Sequence, residues 1–107
     1  MIGNWLIPWH AIDRDDQRRA LFVELQRELA PTHPLHGLEA KAIACRQDND
    51  DVLFSLADGR MAVVHLTWIG KQDKPPFPWT DMYANADAFV RERLLPDHRE
   101  WNETEAS

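Results

Sequence analysis

Apolar side chains recur at helical spacing near both ends of the chain, and the first such run lies in DRDDQRRALFVELQRELAP, residues 13–31. Its apolar positions form one stripe, so the run predicts a helix over residues 13–30. Asp13 is the expected N-cap residue, and Pro31 is expected to end the helix. The stripe consists of Leu21, Phe22, Leu25 and Leu29.

A second helical run lies in NADAFVRERLL, residues 85–95. Asn85 is a suitable N-cap residue, and Pro96 is expected to end the helix. The tail over residues 97–107 is expected to be frayed, with Trp101 as its only anchor. The apolar stripe of this helix consists of Ala86, Phe89, Val90 and Leu94.

Shorter apolar runs between the helices predict an antiparallel meander over residues 39–68. An extended piece in TDMY could add a fourth strand. Residues 1–12 are expected to be an extended N-terminal segment at a sheet edge, because Pro8 has no N–H for a central strand. The three candidate strands of the meander are residues 39–47, 51–57 and 60–68.

The turn ADGR, residues 57–60, decides which side chains of the two stronger strands share a face. A two-residue turn at Asp58 and Gly59 would place Val52, Phe54 and Leu56 with Met61, Val63 and His65. A three-residue turn ending in a left-handed Gly59 would collect most large apolar side chains on one face, so we predict this bulged turn. That face would hold Val52, Phe54, Leu56, Ala62, Val64, Leu66 and Trp68, with Trp68 beneath the helices and His65 turned outward.

The order helix, meander, loop, helix predicts an α+β fold in a single domain, residues 1–107. We expect a two-layer sandwich, in which a three- to four-stranded antiparallel sheet carries an N-terminal and a C-terminal helix on one face. The other face is too apolar for full exposure and too polar for a deep core. The N-terminal segment, the loop or a second copy of the chain should cover part of it. This face holds Leu53, Ser55, Met61, Val63, His65 and Thr67.

The formal net charge of −6 changes the expected partners. Nucleic acids and anionic membrane surfaces are disfavoured, because both are bound through basic surfaces. No apolar run approaches the roughly 20 residues of a membrane span, and MIGNWLIPWH lacks the features of a signal peptide. The single cysteine, Cys45, excludes an internal disulfide, so we expect a cytoplasmic protein.

The candidate site lies in and beside an aromatic–proline loop, residues 69–84. The stretch WIGKQDKPPFPW, residues 68–79, begins one residue before this loop and has two tryptophans, three prolines and a phenylalanine. Prolines lower the entropy that such a loop loses when it docks, and tryptophan is enriched at interfaces. The loop is either a lid on its own sheet or a surface for a partner. The candidate ligand- or partner-binding residues are His65, Thr67, Trp68, Phe77, Trp79 and Tyr83.

No motif predicts a catalytic residue, a metal or a cofactor. His33 and His36 are three residues apart, but the usual metal-ligand spacing is otherwise missing. Cys45 has no activating motif and is expected to be a small buried apolar side chain. His65 could be a general base, but a histidine needs a positioned partner before it indicates catalysis.

The segments NWLIPWH and VVHLTWIGKQDKPPFPW give the chain a resemblance to a group of small uncharacterised bacterial proteins. These share an IPWH-like start, a DDVLF…DGR…VHLTW hairpin and an aromatic–proline segment before a final helix. The resemblance implies a stand-alone bacterial domain with this hairpin, and it implies no activity.

Two classes of function follow from the sequence. The first is a non-enzymatic module that binds a protein or forms a homodimer, because the aromatic loop and the acidic charge suit a basic partner. The alternative is a small-molecule-binding protein or a modest enzyme, with a pocket between the outer sheet face and the 69–84 loop.

Overall fold

A computed structural model describes residues 4–74 and 77–106 of the chain, residues 104–106 by their backbone only. The C-terminal helix, residues 86–106, is continuous and contains a π-helical turn. In chain order the elements are β1 (Trp9–Ala11), α1 (Asp15–Glu28), β2 (Ala40–Arg46), β3 (Asp51–Leu56), β4 (Met61–His65), β5 (Trp79–Tyr83), α2 (Ala86–Phe89), the π-helical turn (Val90–Leu94) and α3 (Leu95–Ala106).

The five strands form one antiparallel sheet in the order β1-β2-β3-β4-β5. This confirms the α+β class, and the sheet has one strand more than the largest number expected. The bulged turn is also confirmed: Gly59 has a φ of 93°, and the Leu56 N–H donates to the Arg60 carbonyl at 2.9 Å. Val52 therefore lies opposite Val64, and the large apolar side chains of the hairpin share one face.

The two helices cover opposite faces of the sheet, so the molecule has three layers and not the expected two. The apolar stripe of a helix shows that the helix is covered, but it does not specify the sheet face. The face under α1 holds a core of Ile12, Leu21, Leu25, Leu29, Leu35, Ala42, Val52, Phe54, Leu56, Ala62, Val64 and Leu66. The face under the C-terminal helix holds a core of Trp9, Ala44, Leu53, Met61, Val63, Phe89 and Leu94.

The second core explains the half-apolar face noted in the sequence. The C-terminal helix covers it together with the N-terminal segment, from which Trp5 and Leu6 pack against the cluster. Trp9 is 1% exposed and meets the Phe89 ring edge-on, with 5.4 Å between the ring centroids. The N-terminal segment is therefore a structural cover of the second face.

The helix ends differ from the expected ones. Arg14, and not Asp13, occupies the N-cap position of α1, and no side chain caps that end. Asn85 does cap α2, since its side chain accepts a hydrogen bond from the Ala88 N–H at 2.8 Å. Within the first stripe, Leu21, Leu25 and Leu29 are buried, whereas Phe22 is half-buried.

Pro96 does not end the C-terminal helix. It is the second residue of α3 and directly follows the π-helical turn, in which the Leu95 N–H donates to the Val90 carbonyl five residues earlier, so the proline lies beside an irregular turn of the continuous helix. Residues 97–106, expected to be frayed, are helical. Asp97 accepts a hydrogen bond from the Trp9 indole at 2.8 Å, and His98 contacts the Ile7 carbonyl oxygen at 2.7 Å. Trp101 is thus not the only anchor.

Candidate functional site

The connection between β4 and β5, together with the first residue of β5, exposes large apolar side chains to solvent. Trp68 is 50% exposed, Ile69 45%, Phe77 47% and Trp79 52%. We call these four residues the aromatic rim. Pro75 and Pro76, which we expected to stiffen the loop, lie outside the described residues. The described part of the loop is a surface that presents aromatic side chains, not a lid that buries them.

The first end of the rim is fixed by buried acids of α1. Glu28 is fully buried, and its carboxylate oxygens accept hydrogen bonds from the Thr67 and Trp68 N–H groups, both at 2.9 Å. Glu24, which is 3% exposed, accepts from the Gly70 N–H at 3.1 Å. These bonds hold Trp68 at a φ of 59°, a conformation that is uncommon outside glycine.

The environment of Glu28 disfavours its charged form. Burial raises the pKa of Glu28, and a side-chain hydrogen bond with Glu24 raises it further, while the N–H donors of Thr67 and Trp68 act in the opposite direction. Glu28 therefore holds a proton more tightly in the folded chain than in the unfolded chain.

The other end of the rim is fixed by His33. The His33 Nδ1 accepts a hydrogen bond from the Leu35 N–H at 3.1 Å, so the proton of the neutral ring lies on Nε2. Nε2 then donates to the Pro78 carbonyl oxygen at 3.0 Å. His33 is 6% exposed, and Thr80 donates to the same carbonyl at 3.0 Å. His33 is thus a loop anchor, and its neighbour His36 is exposed.

A second feature, the His65 cleft, lies on the sheet face under the C-terminal helix. Asp51, His65 and Trp79 stand side by side on β3, β4 and β5. His65 Nδ1 lies 2.8 Å from Asp51 Oδ1, which can only accept, so Nδ1 carries the proton of the neutral ring. The cleft has a volume of about 380 Å³ and is lined by Asp51, Val63, His65, Trp79, Asp81 and Arg93.

Arg93 of the C-terminal helix lines this cleft and contacts the two strands β3 and β5. Its guanidinium group donates to Asp51 at 2.9 Å, to Asp81 at 3.0 Å, to Asp97 at 3.0 Å and to the Tyr83 hydroxyl at 3.3 Å. Burial lowers the pKa of Arg93, but the interactions with Tyr83 and Asp97 outweigh it, so the pKa lies above its usual range. Arg93 is therefore always charged, and it already donates hydrogen bonds to the carboxylates of Asp51, Asp81 and Asp97.

The cleft is acidic and offers acceptors. Asp97 also contacts Arg46, which pairs with Asp48, so the network has four carboxylates and two guanidinium groups. Its formal charge is −2 when His65 is neutral. Among the described residues, no hydrogen bond reaches Asp81 Oδ1 or His65 Nε2. The Asp81 side chain is 44% exposed and the His65 side chain 50%, so solvent reaches both side chains.

The six residues predicted from the sequence do not form one site. His65 and Trp79 line the cleft, and Tyr83 contacts Arg93 behind it. Thr67 and Trp68 instead attach to Glu28 on the α1 side, because β4 ends at His65. Trp68 is thus exposed and does not lie beneath the helices, contrary to expectation. Phe77 lies between the two regions along the chain.

Sequence patterns indicated none of the acids that build these features. Asp51 is the first residue of a candidate strand, and Glu24 and Glu28 are charged residues within the predicted helix over residues 13–30. One signal was available: Glu28 is four residues after Glu24 and beside the apolar stripe, where a charged side chain needs a partner. Arg93 gave no signal, since arginine is common on exposed helix faces.

Other chemistries have less support. Cys45 is partly buried, and burial raises the pKa of its thiol, which disfavours the reactive thiolate. Within residues 4–74 and 77–106, no group of three or more histidine, cysteine or acidic side chains could hold a metal ion. In the same part of the chain, no helix combines the length and the apolar character needed to cross a bilayer.

Comparison of the chain with protein-family models, with curated proteins and with solved structures finds no match. The aromatic rim and the His65 cleft are therefore judged by their own geometry and charge.

Proposed function

We propose that this chain is a non-enzymatic module that binds a protein with a basic surface through its aromatic rim. The observation that supports this most directly is the exposure of Trp68, Phe77 and Trp79, each about half accessible, in the β4–β5 connection and at the start of β5. Buried aromatic anchors dominate binding energies at interfaces. A chain of this size would otherwise gain stability by burying such side chains.

The rim is held in place before any partner arrives. Glu28 fixes the backbone on one side and His33 fixes it on the other, through side chains that are themselves buried. Binding then loses less conformational entropy, because the backbone at Thr67, Trp68 and Pro78 is already fixed. Burying the side chains of Glu28 and His33 is costly unless both form hydrogen bonds. Here their hydrogen-bond partners are the Trp68 N–H and the Pro78 carbonyl oxygen.

The charge favours a basic partner over a second copy. Each chain has a formal net charge of −6, so two copies repel, while a basic protein is attracted. Pairing of β5 with β5 of a second copy around its central residue would set Asp81 opposite Asp81, and like charges in that position are destabilising. A homodimer through this edge is therefore disfavoured.

A second candidate function rests on the Asp51–His65 pair. A carboxylate that orients an imidazole beside a cleft of about 380 Å³ also suits a small-molecule site, with His65 Nε2 as a base or an acceptor. No nucleophile stands beside His65 among the described residues, and the side chains that line the cleft are Asp51, Val63, Trp79, Asp81 and Arg93. Binding is thus better supported than catalysis.

The test of the main proposal uses the immobilised full chain in a lysate of its native host. We expect a retained protein with a basic surface, released by added salt, as screened electrostatics require. The variant Trp68→Ala with Phe77→Ala should lower the affinity of the purified pair at least about tenfold, as loss of an interface anchor does. Leu95→Ala is the matched control, because Leu95 is an exposed apolar residue (40%) of the C-terminal helix.

Three outcomes would contradict the proposal. The first is a retained protein that binds the double variant as well as it binds the parent chain. The second is loss of binding in the Leu95→Ala control as well. The third is sedimentation that shows a dimer of the chain which the double variant dissociates, because the rim would then serve self-association.

A further inference from the structure

We propose that the His65 cleft is a receptor for a guanidinium group, supplied by an arginine side chain of the basic partner. This inference rests on the proposed function and adds the chemistry of one contact. It concerns Trp79, Asp81 and His65, which face the same side of the sheet on adjacent strands β4 and β5. The rim residues Trp68 and Phe77 have no part in it.

The free hydrogen-bonding groups of the cleft select a donor. Asp81 uses Oδ2 for Arg93, which leaves Oδ1 open, and His65 uses Nδ1 for Asp51, which leaves the acceptor Nε2 open. Arg93 makes four hydrogen bonds to its own acids and Tyr83, and a guanidinium group has five N–H donors. An anionic or acceptor-rich ligand would thus face the acceptors Asp81 Oδ1 and His65 Nε2. Arg93 would offer it little, because this side chain already donates four hydrogen bonds within the chain.

The local charge selects a cation. The network around Arg93 has a formal charge of −2 with His65 neutral, and it opens to solvent at Asp81, which is 44% exposed. A cation here faces the Asp81 carboxylate without displacing Arg93, because the two would use different oxygens. The chain as a whole is acidic, so long-range attraction favours the same ligand.

The indole ring of Trp79, which lines the cleft, favours a flat cation over a compact one. Trp79 is 52% exposed and stands next to His65 across β4 and β5. Tryptophan is the best side chain for cation–π contacts, and a planar guanidinium can stack on its face while donating in its own plane. A lysine ammonium lacks this combination, so we expect it to bind more weakly.

The test is a titration of the ¹⁵N-labelled full chain, followed through the indole N–H signal of Trp79 by NMR. The probes are N-acetylarginine N-methylamide, its neutral isostere N-acetylcitrulline N-methylamide and the lysine counterpart. We expect a saturable shift with the arginine probe and a Kd below about 10 mM. The citrulline probe should bind at least about tenfold more weakly, and the lysine probe should lie between them.

Two variants test the assignment within the cleft. Asp81→Asn should weaken the arginine probe about tenfold, and Asp13→Asn is the control, because Asp13 is an exposed acid outside any helix or strand and changes the net charge equally. Trp79→Leu removes the ring without touching Arg93, which keeps the test decisive if Asp81→Asn perturbs the fold. The Trp79→Leu titration is read through the backbone signal of His65.

The outcomes separate this inference from the proposed function. Equal response to the arginine and citrulline probes, no saturable shift, or unchanged affinity in both cleft variants would overturn the guanidinium site. If partner capture still depends on Trp68 and Phe77 in that case, the binding module stands without this contact. If the probe binds as expected but no partner depends on the rim, the cleft stands as a cation site and the binding module fails.

Discussion

At the scale of single residues, buried carboxyl groups organise the exposed surface. Glu28 is fully buried, and its two oxygens hold the backbone at Thr67 and Trp68. A buried carboxyl group that makes these bonds costs less than an unpaired one, but its charged form is still disfavoured. Glu28 therefore links the stability of the fold to pH.

The first prediction concerns this link. The raised pKa of Glu28 means that its contribution to stability is fully present below the ordinary value of 4.5 and is lost as the pH rises through the folded-state pKa. The Glu28→Gln variant has no ionisable group at this position. We expect the free energy of unfolding of the parent chain, minus that of Glu28→Gln, to be larger near about pH 5 than near about pH 8 in urea denaturation.

The matched control is Glu39→Gln, since Glu39 is exposed. Its difference from the parent chain should show a much weaker dependence on pH. A difference for Glu28→Gln that stays constant, or that grows as the pH rises, would show that Glu28 does not bind its proton more tightly in the folded chain.

The second prediction concerns Gly59. Its φ of 93° lies in the region that favours glycine, and a Cβ built there meets no atom within 4 Å. Gly59→Ala should therefore cost only the backbone conformation, about 1–2 kcal/mol. Gly59→Asn should cost less, because asparagine tolerates left-handed backbone. Urea denaturation measures both, and an unchanged stability in Gly59→Ala would mean that the turn adopts another conformation.

At the scale of elements, the C-terminal helix is attached to the sheet by apolar packing and by one arginine. Phe89 and Leu94 enter the second core, while Arg93 reaches Asp51 of β3 and Asp81 of β5. Arg93 lies in the π-helical turn. The position of this helix thus depends on a charged contact as well as on buried area.

The third prediction tests this contact. Arg93→Met keeps the aliphatic stem but leaves Asp51, whose side chain is 11% exposed, without its cation, and we expect a loss of about 3–5 kcal/mol, as when one partner of a buried pair is removed. Arg91→Met is the control on the same helix, because Arg91 is exposed. It should change the stability by less than about 0.5 kcal/mol. Equal effects of the two variants would show that the Arg93 network contributes little.

At the scale of the whole molecule, one sheet serves two cores. Neighbouring residues of β3 point to opposite faces, and both faces are covered, so Leu53 and Phe54 are each fully buried. This distinguishes the three-layer arrangement from a two-layer one, in which one face of the central strand would meet solvent.

The fourth prediction follows from this arrangement. Leu53→Ala should cost about 2–5 kcal/mol and Phe54→Ala about 3–5 kcal/mol, each in a single unfolding transition because the two cores share the sheet. Far-ultraviolet circular dichroism and tryptophan fluorescence should give the same midpoint. A cost below about 1 kcal/mol for Leu53→Ala would mean that the C-terminal helix does not seal its face.

The local pattern of the chain determined the elements that depend on neighbouring residues. The period of apolar positions determined both helices, the placement of Gly59 determined the bulged turn, and Asn85 determined a helix start. These features follow from the chemistry of a few consecutive residues, which the unfolded chain already contains. The same pattern turned His65 outward and made Trp79 a candidate binding residue, although it offered no partner for either.

Tertiary structure alone decided which face each helix covers and which polar groups meet. Nothing in a helical stripe specifies a sheet face, so the third layer could not be read from the pattern. Pro96 ends many helices, but here contacts of Asp97 with Trp9 and Arg93 stabilise the turn that follows it. Contacts between residues as far apart as Glu28 and Trp68 depend on how the whole chain packs, and that packing places the rim and the cleft.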